Sequence, residues 1–347
     1  MPDDVAAGPR PEVAEPPEPP EPPEPPEPPE PAERPEPPEP PEPPEPAERP
    51  EPPEPPEPPE LADLFEANRR LLFTVAYELL GAAADAEDVV QEVWLRWSAA
   101  DRSDVVEPRA YLVRITTRLA LNRLRALRRA RETYVGPWLP DPLLTSPDAA
   151  HPVERAEEVS LALLVVLETL SPLERAVFVL REVFDLPYQE IAEALDRDVP
   201  ALRQTAHRAR EHVRARRPRY TPAGSQHAEA TERFLTACFT GDLAGVLAAL
   251  APEVELVTDG GGVVRAARRI IRGADKVSRA LIAFAGDSTM AHLEWVPVEI
   301  NGALGTMALL DGVPTMATAA EYDGDRLVRI MVFRNPTRLA GLDRVRP

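Results

Sequence analysis

Residues 186–217 read LPYQEIAEALDRDVPALRQTAHRAREHVRARR. Tyr188 to Leu195 has the spacing of a short helix, with Ile191, Ala194 and Leu195 on one side. Asp196–Val199 is a turn, and Pro200 suits the first position of a second helix. That second helix carries Arg203, Gln204, His207, Arg208, Arg210, Arg214, Arg216 and Arg217. Two short helices across a tight turn, the second strongly basic, predict a helix-turn-helix. Residues 197–219 hold eight Arg against Asp198 and Glu211, a net of +6. On this reading Ala201, Arg203, Gln204 and Arg208 face a major groove, and the later arginines meet phosphates.

Moving upstream, Ser171-Pro172-Leu173-Glu174 is an N-cap, a proline at the first helical position and a capping-box acid. Before it, residues 157–170 form an apolar helix. Further upstream, Leu61–Leu80 is amphipathic and Gly81 ends it. Asp85, with Asp88, has the spacing of a cap for the next helix, which bears Val89, Val90, Val93, Trp94 and Trp97. The polar stretch Ser98–Pro108 interrupts the pattern. A long helix then runs from Arg109 to Arg131, with eight Arg and no acid. Aligned guanidinium groups suit phosphate contact, and Asn122 among them suits a base edge.

The stretches Leu71–Tyr77 and Asp85–Leu95 resemble region 2 of extracytoplasmic-function sigma factors of the sigma-70 family. Leu170–Ala176 with Tyr188–Ala192 resembles region 4. The resemblance covers residues 61–217. It implies core RNA polymerase and promoter DNA as partners; the acidic, Pro-rich N-terminus, unlike a signal peptide, and the lack of an 18-residue apolar run predict the cytoplasm. Asp85, Glu87, Asp88, Gln91, Glu92 and Trp94 would face the β′ clamp helices, and the β flap would take region 4. Arg118, Asn122 and Arg125 would contact the −10 element, the loop Ser98–Pro108 would receive a flipped base, and the helix from Pro200 would read the −35 element. The two reading heads would then sit on separate domains joined by a flexible linker, Glu132–Pro152.

Beyond the helix-turn-helix the chain continues for about 120 residues. His227–Thr240, Leu243–Leu250 and Ala274–Ala285 read as helices, and Val254–Val257 as a short strand. Asn301-Gly302, Asp311-Gly312 and Asp323-Gly324 are hairpin-turn dipeptides that separate strands Ala303–Leu310, Val313–Glu321 and Arg326–Phe333. Helices followed by a curved antiparallel sheet predict an α+β cone, and the order of elements resembles the SnoaL-like, nuclear-transport-factor-2-like domain. Three short motifs sharpen the resemblance to the sigma factor J-like group, which carries such a fused C-terminal domain. They are Trp138-Leu139-Pro140-Asp141-Pro142, Asp259-Gly260-Gly261-Gly262 and Asn335-Pro336. Val263 stands where that group tends to carry a base. The resemblance implies a regulatory extension that packs against the sigma domains, and the split of the three motifs between linker, cone and tail predicts that 138–142 docks near 259–262 and that the segment 335–347 reaches the sigma core. It also leaves room for a small-molecule ligand of the C-terminal domain. Catalytic candidates there would be Asp259, His292, Glu294, Glu299 and Tyr322, which form no spaced acid–base constellation. No cofactor, metal or catalytic residue is assigned.

The expected fold is therefore multidomain. It comprises a disordered Pro/Glu-rich tail (1–60), an all-α region 2 (61–131), a linker (132–156), an all-α region 4 (157–219), the α+β cone (225–335) and a C-terminal tail (336–347). The net charge of −20 is unevenly spread: residues 1–60 hold 19 acids, 3 Arg and 29 of the 45 Pro. The fifteen residues 31–45 recur unchanged as 46–60. Such a segment has nothing to bury and favours polyproline II. One cysteine, Cys238, excludes a disulfide framework. The sequence alone leaves two other readings: a helix-turn-helix regulator that binds DNA unaided, and a SnoaL-type enzyme fused to a DNA-binding module.

Overall fold

The computed structural model describes residues 58–100, 105–145, 160–216 and 225–342. The Pro/Glu tail before residue 58, residues 101–104 of the expected base-receiving loop, residues 146–159, and 343–347 lie outside them.

Three helices form the first segment: α1 (Pro58–Leu80), α2 (Ala83–Ala99) and α3 (Pro108–Arg131). The second holds α4 (Leu161–Leu167), α5 (Pro172–Phe178), a π-helical turn (Val179–Val183), α6 (Tyr188–Leu195) and α7 (Val199–Arg216). Ser171 and Glu174 close a full capping box on α5. The turn between α6 and α7 is shorter than expected because Asp196 adopts a left-handed conformation, φ 54°, and α7 starts one residue before Pro200. Asp198 Oδ1 then accepts from the Ala201 N–H at 2.8 Å.

The two helical segments are not separate. Phe65, Leu72, Leu79 and Leu112 of the first share one apolar core with Leu164, Ala176, Leu180 and Leu202 of the second. The expectation of detached reading heads is corrected. The reason lies in apolar surface: the amphipathic faces of α1, α3, α5 and α7 together leave no solvent-facing side for the residues between them.

The third segment has α8 (Ser225–Thr240), α9 (Leu243–Ala249), α10 (Ala274–Ala285) and a six-stranded sheet. Its strands are β1 (Leu250–Asp259), β2 (Ile271–Arg272), β3 (Glu294–Ile300), β4 (Ala303–Leu310), β5 (Val313–Asp323) and β6 (Arg326–Phe333), in the order β2-β1-β6-β5-β4-β3. The hairpins fall at the three predicted dipeptides. The sheet is mixed rather than antiparallel: β1 runs parallel to β6. No hairpin joins those two strands, so only the intervening crossover sets their direction. One face of the sheet packs on α8–α10 through Phe234, Leu256, Val277 and Ile330. The other packs on Leu139 of the linker, Leu161 of α4, and Leu339 and Leu342 of the C-terminal turn that includes α11 (Pro336–Leu339). Linker residues 132–145 are thus held, not flexible; Leu139 is 1% exposed, and burying a leucine contributes about 2 kcal/mol. Among the described residues no helix is long and apolar enough to cross a membrane.

Candidate functional site

The α1–α2 face carries a groove of about 370 Å³ lined by Phe65, Arg69, Glu87, Asp88, Gln91 and Trp94, among others. Phe65 and Trp94 pack with ring centroids 5.0 Å apart and form its floor. Gln91 is exposed at its edge, and Glu87 pairs with Arg69 at 3.1 Å. Three of the six residues expected on this surface are engaged elsewhere. Asp85 and Asp88 accept from Arg123 of α3 at 2.6 and 3.4 Å, and Glu92 pairs with Arg96 at 2.7 Å. Nor does Asp85 cap α2. The Ala83 N–H donates instead to Asp141 Oδ2 at 2.8 Å, so the helix takes its N-terminal acceptor from the linker, 58 residues away.

On α3, Asn122 and Arg125 are exposed and hydrogen-bonded to each other at 3.0 Å. Arg118 is turned to the second segment. Its guanidinium donates to Ala194 O at 2.9 Å and Glu193 O at 2.8 Å, satisfying the C-terminal carbonyls of α6. The residue expected on one DNA element therefore holds the helix-turn-helix expected on the other.

Along α7, Ala201, Arg203, Gln204 and Arg208 are all exposed, as are His207, Arg214 and Arg216. Arg203 stacks over Tyr188 at 5.6 Å, and Arg208 has only Glu174 at 3.7 Å for a partner carboxylate.

The three short motifs converge on one cluster. Asp259, fully buried at the end of β1, accepts from Tyr134 Oη and from the Leu139 N–H at 3.1 Å. Arg338, two residues into α11, reaches Asp141 at 2.6 Å and Asp259 at 3.3 Å. Its guanidinium also lies over Trp138, 4.5 Å from the ring centroid, while Arg131 covers the same ring at 3.5 Å. Burial pushes the Asp141 carboxyl up, against the pull of Arg338. Asn335 Nδ2 donates to Tyr134 Oη at 3.0 Å. The triple glycine makes this approach possible: Gly261 is left-handed, and a Cβ there would collide with the Asn335 amide. Gly81 serves likewise at the end of α1, where a Cβ would meet the Trp138 ring at 2.9 Å. Pro140 and Pro142 are buried beside them, and Asn335 caps the turn begun by Pro336. Val263, in contrast, is 77% exposed, and its backbone N–H donates to Gly260 O at 3.1 Å.

Sequence reasoning passed over several members. Asn301 was legible only as a turn residue, and it does take φ 49°. It also accepts from the Leu143 N–H at 3.0 Å and donates to Tyr77 Oη at 3.0 Å. Tyr77 in turn donates to Asp141 O at 2.6 Å, tying α1, linker and cone together. Glu168 was likewise missed. It pairs with Arg131 of α3 and with Arg175 of α5, whose Nε donates to Glu78 O at 2.9 Å.

Glu78 itself is fully buried on α1, with no hydrogen-bond partner for either carboxyl oxygen among the described residues. Burial pushes its pKa up to about 8; Arg175 pulls the other way and loses. The folded chain therefore holds a proton there that the unfolded chain gives up above about pH 4.5. Stability contributed by that proton is complete below about pH 4.5, falls as pH rises toward 8, and is gone above it. The expected loss is on the order of 5 kcal/mol. Glu78→Gln, which cannot ionise, should show a much smaller drop in melting temperature between pH 5.5 and 8.5 than the parent chain. An equal drop in both would assign the pH dependence to other groups.

The five catalytic candidates of the cone do not meet. Asp259 belongs to the linker cluster and Glu299 accepts from Thr145 at 2.9 Å. Tyr322 is buried against Thr231, and His292 and Glu294 are exposed.

Comparison with known proteins follows the same division. The family models for sigma-70 region 2 and sigma-70 region 4 match residues 64–130 and 160–213. The chain is similar to the ECF RNA polymerase sigma factor SigJ of Mycobacterium tuberculosis. Identity is 37% over 289 residues, covering 80% of this chain and 92% of that protein. It is 32% identical to the probable ECF RNA polymerase sigma factor SigI of the same organism, over 79% of this chain and 93% of that one. The crystal structure of M. tuberculosis SigJ matches with a TM-score of 0.67 at 34% identity, covering 81% of this chain and 98% of that chain. A match of this length takes in the cone as well as the helical segments.

Proposed function

From the premise that the chain belongs to the extracytoplasmic-function RNA polymerase sigma factors, we propose how its surfaces divide the work. As an alternative sigma factor it binds core RNA polymerase and directs transcription from promoter DNA. The α1–α2 groove receives the β′ clamp helices: an aromatic floor of Phe65 and Trp94, with Gln91, Glu87 and Asp88 at the rim, suits a helix carrying apolar and basic side chains. Asn122 and Arg125 of α3 meet the −10 element, and Arg118 joins them once released from α6. Ala201, Arg203, Gln204 and Arg208 of α7 meet the −35 element, and the β flap takes the outer side of the second segment. The observation that carries this reading is the exposed arginine row of α7 on a helix-turn-helix, in one chain with an aromatic-floored groove on α1 and α2.

The present arrangement is a closed one. Elements centred about 25 base pairs apart lie on the order of 85 Å apart at 3.4 Å per base pair. Arg118 touching α6 cannot span that, so α3 and α7 must part before both read DNA. The cone is a regulator and not a catalyst on this reading: Asp259, its most buried acid, is committed to the linker through Tyr134, Leu139 and Arg338.

Run-off transcription with core polymerase tests the assignment, comparing the full chain with chains ending at Tyr220 or lacking residues 335–347. Promoter-specific transcripts that change in yield with truncation support it. Duplex binding without polymerase, and no initiation with it, would favour the stand-alone regulator. Gln91→Lys, at an exposed groove edge, should weaken core binding about tenfold, a typical interface effect, and leave the melting temperature unchanged. Unaltered core affinity would move the polymerase surface elsewhere.

A further inference from the structure

The cone carries a basic loop of its own. Between β1 and β2, residues 263–272 hold Arg265, Arg268, Arg269 and Arg272 and no acid. The first three are exposed, and none of them has a carboxylate within ion-pair distance among the described residues. Arg334 adds to the same surface. Its Nη1 donates to Arg265 O at 2.6 Å, and its Nε is buried with no hydrogen-bond partner among the described residues. Burial pushes the Arg334 pKa down; Asp287 pulls it up, and Arg265 pushes with burial. Guanidinium groups gathered in this way repel one another, and a polyanion laid against them relieves that repulsion. The loop also lies beside the C-terminal end of α3. A Cβ on Gly262 would meet Val135 at 3.0 Å, and one on Gly136 would lie 3.8 Å from the Arg268 Cα. The Tyr134 N–H donates back to Arg131 O at 3.1 Å, so the chain turns directly from α3 onto the loop.

We propose that this loop is a second DNA-contacting element, in which Arg265, Arg268 and Arg269 bind phosphates of promoter DNA flanking the segment that α3 reads. The inference rests on the reading of α3 as the −10 helix. Continuity of charge is the first argument. Arg125, Arg128 and Arg129 are exposed on the last turns of α3, and Glu132 is the one acid in residues 109–136. Distance is the second. From Arg125 to Arg131 the helix rises about 9 Å, and the five residues on to Gly136 span at most about 18 Å. The two arginine groups therefore sit within about 30 Å, less than one turn of duplex at about 34 Å. One stretch of DNA meets both. Attachment is the third. The cone is tied to the first helical segment by Asn301 on Tyr77, and by Arg338 through Asp141 to the Ala83 N–H. Those bonds do not pass through the second segment, so the loop stays beside α3 when α3 and α7 part. Phosphate contacts of this kind fix position on the duplex and carry no sequence information.

The test uses the full chain assembled with core RNA polymerase, titrated with a fluorescent duplex from the gene's own upstream region. Arg265→Ala, Arg268→Ala and Arg269→Ala together remove three phosphate contacts. The slope of log affinity against log salt should then fall by about 2.7, so the gap between parent and variant narrows about fortyfold from 50 to 200 mM salt. Arg265→Lys, Arg268→Lys and Arg269→Lys together should restore the parent slope. Both variants should melt with the parent chain, since all three side chains are exposed. In parallel, a photo-cross-linker on the thiol of Val263→Cys should label the duplex within about one turn of the −10 element. The parent chain, whose one cysteine is buried, is the blank. An unchanged salt slope, or a label on polymerase in place of DNA, overturns the proposal. Asn122→Ala tests the premise separately. It should shrink the preference for the promoter over a duplex with a scrambled −10 element, whereas the loop variant weakens both duplexes alike. A slope reduced by the loop variant, with that preference untouched by Asn122→Ala, keeps the loop on DNA and overturns the −10 reading of α3.

Discussion

Replacing Arg338 with alanine should lower stability by about 3–5 kcal/mol, the usual cost of removing one partner from a buried ionic cluster. Its side chain is 11% exposed, and it faces Asp141 at 15% and Asp259 at 0%. Without it, two carboxylates from distant parts of the sequence are left together away from water. Asp141 keeps the Ala83 N–H, and Asp259 keeps Tyr134, Leu139 and the Gly261 N–H at 3.0 Å, so the site does not lose every partner. What it loses is the only cation among the described residues that touches both acids and stacks on Trp138. Arg338→Lys should recover less than half of the loss, since an ammonium cannot bridge two carboxylates and cover a ring at once. Urea unfolding measures the effect, and limited proteolysis within residues 132–145 shows whether the linker is released. If Arg338→Ala melts with the parent chain, the cluster is not what holds the cone to the linker.

The legibility of this molecule divides by range. Signals contained within one turn of chain were readable. Ser171 and Glu174 close their box, the Asn-Gly and Asp-Gly pairs turn the hairpins, and the apolar spacing of α1 to α3 gives three helices. Each depends on neighbours a few residues away, where periodicity and turn chemistry act. Pairings between different elements were not. Asp141 as the cap of α2, Glu168 between Arg131 and Arg175, and Arg118 on the carbonyls of α6 all satisfy groups that local pattern leaves open. Asp85 shows the consequence. Its position invites a cap, but Asp141 arrives from the linker and Asp85 turns to Arg123. The docking of 138–142 near 259–262 was legible from the three motifs; the Arg338 bridge between Asp141 and Asp259, and the tie from Asn335 to Tyr134, were not.

Glu168→Ala should produce effects of opposite sign in stability and in transcription. Glu168 and Arg175 belong to the second helical segment; Arg131 and Glu78 belong to the first. Their bonds cross the boundary that opens in the proposed reading of promoter DNA. Arg175 is the largest side chain wholly buried, and burial already lowers the Arg131 pKa to about 10 with Glu168 holding it up. Removing Glu168 strands both cations and should cost about 3–5 kcal/mol in the closed form. In the opened form the same cations reach water, so the penalty there is small, and the balance shifts toward opening by up to the same amount. The closed chain should melt at lower temperature, while run-off yield at limiting sigma factor rises. Glu168→Gln, which keeps one acceptor oxygen but loses the charge and the second acceptor, should fall between on both measures and guards against simple misfolding. If yield falls in step with melting temperature through both variants, opening is not what limits initiation, and the Glu168 pairs serve the fold alone.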